Sequence, residues 1–207
     1  MSDGPNKTLD LPIAGRGYNA LPFVFDLVNQ ANGIKIADST KSKNVDKDQL
    51  AEDEDGTKTV AFLERVSYFI DRITGNSAPC IGPHPAVYFY TRSGAFQPSA
   101  FLAFAKLIEW LEQEGKLKNL TDRRKELEDF LIRNKGHIGL IVHKYESGVR
   151  SVSPIFNYFK AILTEAWKGK KGNEIEAGLK LEQNFAFLFA PKPTDYRVST
   201  AEAERLR

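Results

Sequence analysis

The amino-acid sequence predicts a mainly α-helical fold, a multi-helix bundle with an irregular aromatic and proline-rich central segment and at most one or two short strands. Three observations support this prediction. Apolar residues recur every three or four positions in several long segments, as on the buried face of a helix. Helix start and stop signals bound those segments. Prolines and glycines concentrate between residues 76 and 97, where they interrupt any long element.

The N-terminal part of the chain is predicted to contain one helix between two irregular stretches. Residues 1–17 show no periodicity and are expected to form a flexible lead-in. Apolar residues at helical spacing predict a first helix over 18–31, which ends at Asn32-Gly33. Residues 33–37 are compatible with one short strand, and the charged stretch 38–56 is expected to be a mobile loop.

Helices are predicted to dominate from residue 57 onward. The segment 57–74 carries an apolar stripe between two glycines, which is the pattern of an amphipathic helix. Pro98 is well placed in the first turn of a helix that continues to Gly115. A further helix is expected to begin near Thr121, and a shorter one is expected over 137–145.

The C-terminal part is predicted to add two more helices and a tail. Ser153-Pro154 indicates a helix start, because serine can cap free amides and proline lacks the amide that a first turn leaves unpaired. Residues 173–183 predict another helix, and 185–190 are either its buried continuation or a short strand. Residues 18–190 are therefore expected to form a single helical domain. The tail 191–207 includes a new helical pattern that stops with the sequence, as in a truncated helix.

Composition excludes several classes of protein. A hydrophobic content of 42% and a formal charge of +2 are typical of a globular domain rather than a disordered chain. The single Cys80 excludes an internal disulfide, and no apolar leader follows a basic start. No apolar run approaches the roughly 20 residues that span a bilayer. A cytoplasmic protein without a membrane segment is expected.

No complete catalytic or metal-ligating motif is found in the sequence. Cys80 and His84 are close, but no orienting group or oxyanion donor accompanies them, so a buried thiol is favoured. His137 and His143 are not part of a His-Glu-x-x-His pattern, and paired cysteines are absent. The acidic residues 52–55 lack the spacing of a calcium loop. The prediction is no catalytic residue, no metal and no cofactor.

Basic residues cluster between Lys116 and Arg150, and several on adjoining helices could neutralise successive phosphates of a nucleic acid. Acidic residues are interleaved with them, so a solvated helix face is the alternative. The predicted nucleic-acid-binding residues, with Arg92 from the central segment added, are Arg92, Arg123, Arg124, Lys125, Arg133, Lys135, Lys144 and Arg150.

The aromatic run of the central segment is a second candidate binding surface. Tyr88, Tyr90 and Phe96 could stack on bases or on the side chains of a partner, and His84 lies just before them. These four residues are the predicted partner-binding set. The alternative is that the rings fill the core, since prolines hold the run in place.

The same segment carries a resemblance to a known family. The stretch 84–103, which begins His-Pro-Ala-Val-Tyr-Phe-Tyr, and the stretches 130–135 and 141–148 together resemble the helical portion of GmrSD-type proteins. These are ParB-like nucleotidases with an Asp-Gly-Gln-Gln-Arg motif that are linked to DNA restriction. The similarity covers roughly residues 57–165 as a pattern of aromatic, proline and glycine positions.

The resemblance implies a part of that system without its catalytic centres. Neither the Asp-Gly-Gln-Gln-Arg motif nor an HNH-type nuclease motif occurs in this chain. What is implied is the helical substrate-recognition or scaffolding part, alongside a partner that carries nuclease or nucleotidase activity.

Taken with the basic helices, these observations predict a non-catalytic helical module of a prokaryotic defence or restriction-type system that binds nucleic acid through Arg and Lys contacts to phosphates. One alternative is a protein-interaction scaffold that docks a partner through the aromatic segment. Another is an enzyme with a site around His84 and Tyr90.

Overall fold

The described helices pack around a central pair of long helices, and the described residues between them form almost no extended structure. The computed structural model describes residues 20–34, 53–75, 80–146 and 148–190. Within those ranges the only pairing of extended backbone is the isolated bridge between Tyr90 and Phe96. The helices are α1 (Ala20–Ala31), α2 (Thr57–Thr74), α3 (Pro85–Tyr88), α4 (Pro98–Gln113), α5 (Leu117–Asp122), α6 (Arg124–Arg133), α7 (His137–Tyr145), α8 (Val149–Trp167) and α9 (Asn173–Leu181), followed by a 3₁₀ turn (Ala186–Phe189). The predicted mainly α-helical class is confirmed.

Helices α4 and α8 form the centre of the fold and pack together more extensively than any other pair of described helices. On α4, Phe104, Leu107 and Leu111 are almost completely buried, and they recur at the three- and four-residue spacing of a helix face. Phe104 meets Phe159 of α8 with ring centroids 6.1 Å apart in an edge-to-face arrangement. The other described helices pack around this pair.

The start of α8 differs from the prediction. The helix begins at Val149 rather than at Ser153, so Pro154 lies inside it. Gly148 precedes the helix with a φ of 82°, and its carbonyl oxygen accepts hydrogen bonds from the hydroxyls of Ser99 (2.9 Å) and Ser151 (3.1 Å). Pro154 lies in the second turn and has no amide to donate to the Arg150 carbonyl, so the helix loses one hydrogen bond near its N-terminal end. Burial of the flanking apolar side chains offsets that loss.

Two further boundaries depart from the sequence-based expectation. The helix expected to begin near Thr121 is two helices, α5 and α6, separated at Arg123, whose φ of −114° and ψ of 13° are not helical. The segment 185–190 is neither a continuation of α9 nor a strand, because it forms the 3₁₀ turn. Its Phe185 and Leu188 are nevertheless buried, as apolar periodicity requires.

Helix α2 has the predicted bounds but buries only part of its apolar stripe. Phe69 and Ile73 are buried, whereas Val60 and Leu63 are more than half exposed. The C-terminal half is attached to α4 by Arg72, whose Nε donates to Glu112 Oε1 at 2.7 Å. The helix is therefore held mainly by its last two turns.

Several predictions fall on residues that the structure does not describe. The lead-in 1–17, the tail 191–207 and most of the predicted loop 38–56 lie outside the described residues. The predicted strand over 33–37 has only its first two residues described. Among the helices in the described ranges, none combines the length and apolar character needed to cross a bilayer.

Candidate functional site

Arg124, predicted to contact phosphates, instead holds the central segment against α6. Its guanidinium donates to the main-chain carbonyl of Ile81 (2.7 Å) and to that of Gly82. The same guanidinium pairs with Glu128 at 2.8 Å. Because its donors are directed at groups of the protein itself, Arg124 has a structural role in this fold.

Tyr88 is part of the same arrangement and lies in the core. Only 1% of its surface is exposed, and its ring centroid is 4.6 Å from that of Phe104. Its hydroxyl donates to Glu128 at 3.2 Å. Burial, reinforced by the negative charge of Glu128, raises the pKa of Tyr88 far above its usual range. The ring is therefore covered, and for Tyr88 the core-filling alternative describes the structure.

Lys135 also makes contacts inside the protein. Its ammonium donates to the carbonyl oxygens of Val87 (2.6 Å) and Ala86 at the end of the short helix α3. Helix ends leave carbonyls without partners, and a cation there satisfies them. Burial lowers the pKa of Lys135, as expected for an ammonium partly removed from water.

Most of the other predicted cations pair with nearby groups. Lys125 pairs with Asp129 at 2.7 Å and Arg123 with Glu126 at 3.6 Å. Arg150 pairs with Glu146, Arg133 donates to the main chain of Asp129 at 3.4 Å, and Lys144 lies 3.8 Å from the centre of the Phe187 ring. Arg92 is exposed, with no polar partner among the described residues. The interleaved acids thus neutralise much of the charge along α6.

The rest of the predicted partner-binding set is only partly accessible. Phe96 packs edge-on against Phe23 at a centroid distance of 5.9 Å, and Tyr90 packs on Phe96 at 5.6 Å. His84 is exposed just before α3. The aromatic run is therefore mostly the inner wall of the central segment, with His84 and one side of Tyr90 reaching the surface.

We expect replacement of Arg124 by leucine to lower the free energy of unfolding by about 2 kcal/mol, since two carbonyls and the Glu128 carboxylate lose their donor. Urea denaturation measures this change. Lys125→Leu is the matched control, because Lys125 is 83% exposed in an ion pair on the same helix, and its loss should cost less than about 0.5 kcal/mol. Equal small effects for both variants would contradict a structural role for Arg124.

A different surface combines aromatic rings and cations on the outer side of the central pair. Trp110 of α4 and Trp167 of α8 lie with ring centroids 6.1 Å apart and planes only 20° from parallel. Phe156 stands nearly perpendicular to Trp110, at 6.3 Å and 78°. All three side chains are partly exposed, and they pack against the edge of the core.

Three lysines lie over two of these rings, those of Trp110 and Phe156. The ammonium of Lys160 is 4.3 Å from the centre of Trp110, that of Lys106 is 5.2 Å from Phe156, and that of Lys116 is 5.6 Å from Trp110. Cations within about 6 Å of a ring centre are attracted to its electron-rich face. We call this surface the Trp–Lys face and define it by six residues: Lys106, Trp110, Lys116, Phe156, Lys160 and Trp167.

The local sequence places these side chains together. Lys106 precedes Trp110 by one helical turn on α4, and Lys160 follows Phe156 by one turn on α8, so each pair lies on one side of its helix. The opposite sides carry the buried residues of the core. Because α4 and α8 pack side by side, their two stripes join into one surface.

Two of the three lysines lack a salt bridge to any described residue, although Lys106 interacts electrostatically with Glu109 and Lys160 with Glu114. Lys106 donates to the Ser153 hydroxyl at 3.1 Å, and neither it nor Lys160 forms a salt bridge with a described carboxylate. Lys116 pairs with Glu114 at 2.9 Å, and this hydrogen bond lowers the pKa of Glu114. The ammonium groups of Lys106 and Lys160 are therefore not held by a described carboxylate in an ion pair.

A groove of about 410 Å³ adjoins this face. Lys106 and Ser153 border both the groove and the Trp–Lys face, while Gln30 and Glu109 supply further polar groups to the groove. The Gln30 side-chain amide donates to the Leu102 carbonyl at 3.0 Å. Burial raises the pKa of Glu109 above its usual value.

Sequence reasoning missed this surface because it sought aromatic residues that are neighbours in the chain. Trp110 and Trp167 are far apart in sequence and meet only through the packing of α4 on α8. A weak signal was present, since Lys106 with Trp110 and Phe156 with Lys160 both show the four-residue spacing of a helix face. That signal cannot say which two helices are adjacent.

The described residues contain no group of three or more histidine, cysteine or acidic side chains that could hold a metal ion. Cys80 is a free thiol whose sulfur accepts a hydrogen bond from the Gly82 amide at 3.2 Å. No family model, curated protein or solved structure matches this chain.

Proposed function

We propose that this chain is a non-catalytic helical module that binds nucleic acid, with the lysines of the Trp–Lys face contacting phosphates. The observation that carries the proposal is the convergence of Lys106, Lys116 and Lys160 on the rings of Trp110 and Phe156, which two adjacent helices contribute. Positive charge interleaved with aromatic rings is the usual composition of surfaces that bind a nucleic-acid strand.

The three lysines of the Trp–Lys face are better placed to bind phosphate than the cations along α6. A lysine over a ring keeps its N–H donors for other acceptors, because the attraction to the ring is electrostatic. Lys125 and Arg123 each have an acidic partner on α6, whereas among the three lysines of the Trp–Lys face only Lys116 forms an ion pair. A phosphate approaching α6 would have to compete with those carboxylates.

The resemblance to GmrSD-type proteins supports a setting for this activity. A cytoplasmic module in a prokaryotic restriction-type defence system would hold nucleic acid for a partner that carries the nuclease or nucleotidase activity. The chain would then contribute affinity, and the partner would contribute chemistry.

A scaffold that docks a protein partner is a second candidate, favoured by the exposure of His84 and one side of Tyr90 at the outer end of the central segment. If this candidate were correct, a partner would co-purify with the native chain and would be lost on Tyr90→Ala. Retention of the partner by that variant would exclude docking at this segment.

The nucleic-acid proposal is tested by fluorescence anisotropy with labelled single strands and duplexes of about 12 nucleotides or base pairs, across a salt series. For a single strand, three lysine–phosphate contacts predict a slope of about −2 in a plot of log affinity against log salt, which is roughly 20-fold weaker binding after a fourfold rise in salt.

The test variant is Lys106→Glu with Lys160→Glu, which should weaken binding by more than about 30-fold. The matched control is Lys118→Glu with Lys125→Glu, which makes the same change in net charge at side chains that are 82% and 83% exposed and paired with acids. The control should stay within about threefold of the native chain. Absence of binding to every probe at low salt, or equal loss in both variants, would overturn the proposal.

A further inference from the structure

We propose that the Trp–Lys face accepts unpaired bases, so that the ligand of this module is single-stranded rather than duplex nucleic acid. This inference rests on the proposed nucleic-acid binding and names its substrate class. Bases would stack on the tryptophan rings while the lysines contact the flanking phosphates.

The ring geometry suits a flat ligand. Because the planes of Trp110 and Trp167 are only 20° from parallel, a base that lies parallel to one ring is also nearly parallel to the other. Phe156 stands at 78° to Trp110 and supplies a wall beside that ring. Every base has a π face, so such stacking is tolerant of sequence.

The lysines are placed to exchange one partner for another. Lys160 lies over Trp110 on a flexible four-carbon stem, so its ammonium can swing from the ring to a phosphate when a base takes its place. The ring loses a cation and gains a stacked base, and the ammonium gains a stronger, fully charged partner.

Trp167 supplies an independent observation. Its indole Nε1–H is buried and has no hydrogen-bond partner among the described residues. Unpaired buried donors are rare in folded proteins, and a bound group that supplies the acceptor is one explanation for such a donor. Base edges carry carbonyl and ring-nitrogen acceptors, so a base that lay beside Trp167 in the plane of its ring would supply an acceptor for this donor.

A duplex cannot use this surface in the same way. Its bases are stacked on one another and present only their edges in the grooves, so their faces cannot reach the tryptophan rings. A single strand can turn its bases outward onto aromatic side chains while the backbone stays near the lysines. The expected ligand is therefore an unpaired stretch of DNA or RNA.

Intrinsic fluorescence provides a direct test on the full chain, because Trp110 and Trp167 are its only two tryptophans. A single-stranded DNA or RNA of about 12 nucleotides should quench this fluorescence and bind at least about tenfold tighter than the corresponding duplex at equal salt. Parallel titrations with DNA and with RNA show which sugar is preferred. Quenching together with tighter binding of either single strand than of its duplex supports the inference.

Two variants test the stacking itself. Trp110→Leu removes the aromatic face and should weaken single-strand binding by about tenfold, whereas Trp110→Phe keeps a ring and should stay within about threefold. Circular dichroism establishes that each variant is folded. If the leucine variant does not fold, the fluorescence quenching of the native chain and its preference for single strands over duplexes test the inference instead.

The outcomes separate this inference from the proposed function. Salt-dependent binding of duplex and single strand with equal affinity and no quenching would overturn the stacking inference and leave nucleic-acid binding in place. Unchanged single-strand affinity in a folded Trp110→Leu variant would also overturn the stacking inference and leave nucleic-acid binding in place. Failure to bind any probe would overturn both.

Discussion

Truncation of Tyr158 to alanine is expected to lower the free energy of unfolding by about 4 kcal/mol, the range for removing a large buried aromatic side chain. Tyr158 has no exposed surface and packs against Phe185 with a centroid distance of 5.8 Å. Its hydroxyl is 2.8 Å from Nδ1 of His137. The substitution therefore creates a cavity and also leaves a buried imidazole nitrogen without its partner.

Urea denaturation followed by circular dichroism measures this loss. Tyr158→Phe is the matched control, because it keeps the ring and removes only the hydroxyl, and it should cost about 1 to 2 kcal/mol. The difference between the two variants isolates the packing of the ring. A loss below about 2 kcal/mol for the alanine variant would mean that the site collapses around the truncation.

The stability of the fold should decrease in acid through His137. Burial against Tyr158 and the Phe189 ring lowers the pKa of His137 to about 4 from an ordinary 6.5, with Glu176 acting in the opposite direction. Above pH 6.5 the imidazole is neutral in both the folded and the unfolded chain. As the pH falls from 6.5 towards 4, the unfolded chain binds the proton first, so stability is lost, by roughly 3 kcal/mol in total at full protonation.

Unfolding free energies of the native chain and of His137→Gln, measured between pH 4 and pH 7, test this expectation. The difference in unfolding free energy between the native chain and the variant should narrow as the pH falls, because glutamine does not titrate and only the native chain loses the contribution of His137. The comparison with a variant is necessary because burial raises the pKa of Asp26 to about 6, and this carboxyl contributes stability that is lost as the pH rises through the same interval. A constant difference would contradict the proposed titration.

The cations of this protein divide into two groups with different consequences for mutagenesis. Arg124 and Lys135 donate to main-chain carbonyls of the central segment, so charge reversal there would damage the fold. Lys106 and Lys160 lie over partly exposed rings, so their replacement should affect binding first. A loss of binding is therefore informative about the binding surface only when Lys106 and Lys160 are changed and Arg124 and Lys135 are left intact.

Much of the fold could be predicted from the sequence because its signals are local. The bounds of α2 and α7 agree with the predicted segments 57–74 and 137–145, since apolar periodicity and flanking glycines act within a few residues. The start of α8 could not be predicted in the same way. It depends on the Gly148 carbonyl, which accepts a hydrogen bond from Ser99 of α4, a residue distant in sequence.

The candidate site was less accessible to sequence reasoning than the fold. Counting bases along α6 identifies cations but not their partners, and Arg124 turned out to face the carbonyls of Ile81 and Gly82. The run around Tyr88 identifies aromatic residues but not which of them point inward. Both questions depend on which surfaces meet.

By itself, the sequence determined that this protein is a helical bundle, because the three- and four-residue spacing of apolar side chains specifies which side of each helix avoids water. Only the tertiary structure decided which helices are neighbours. That choice buried Tyr88, assigned Arg124 and Lys135 to the main chain, and brought Trp110 next to Trp167. The physical reason is that periodicity specifies which face of a helix is buried. Which helix covers that face, and which side chains become neighbours on the exposed face, depends on how all the helices pack together.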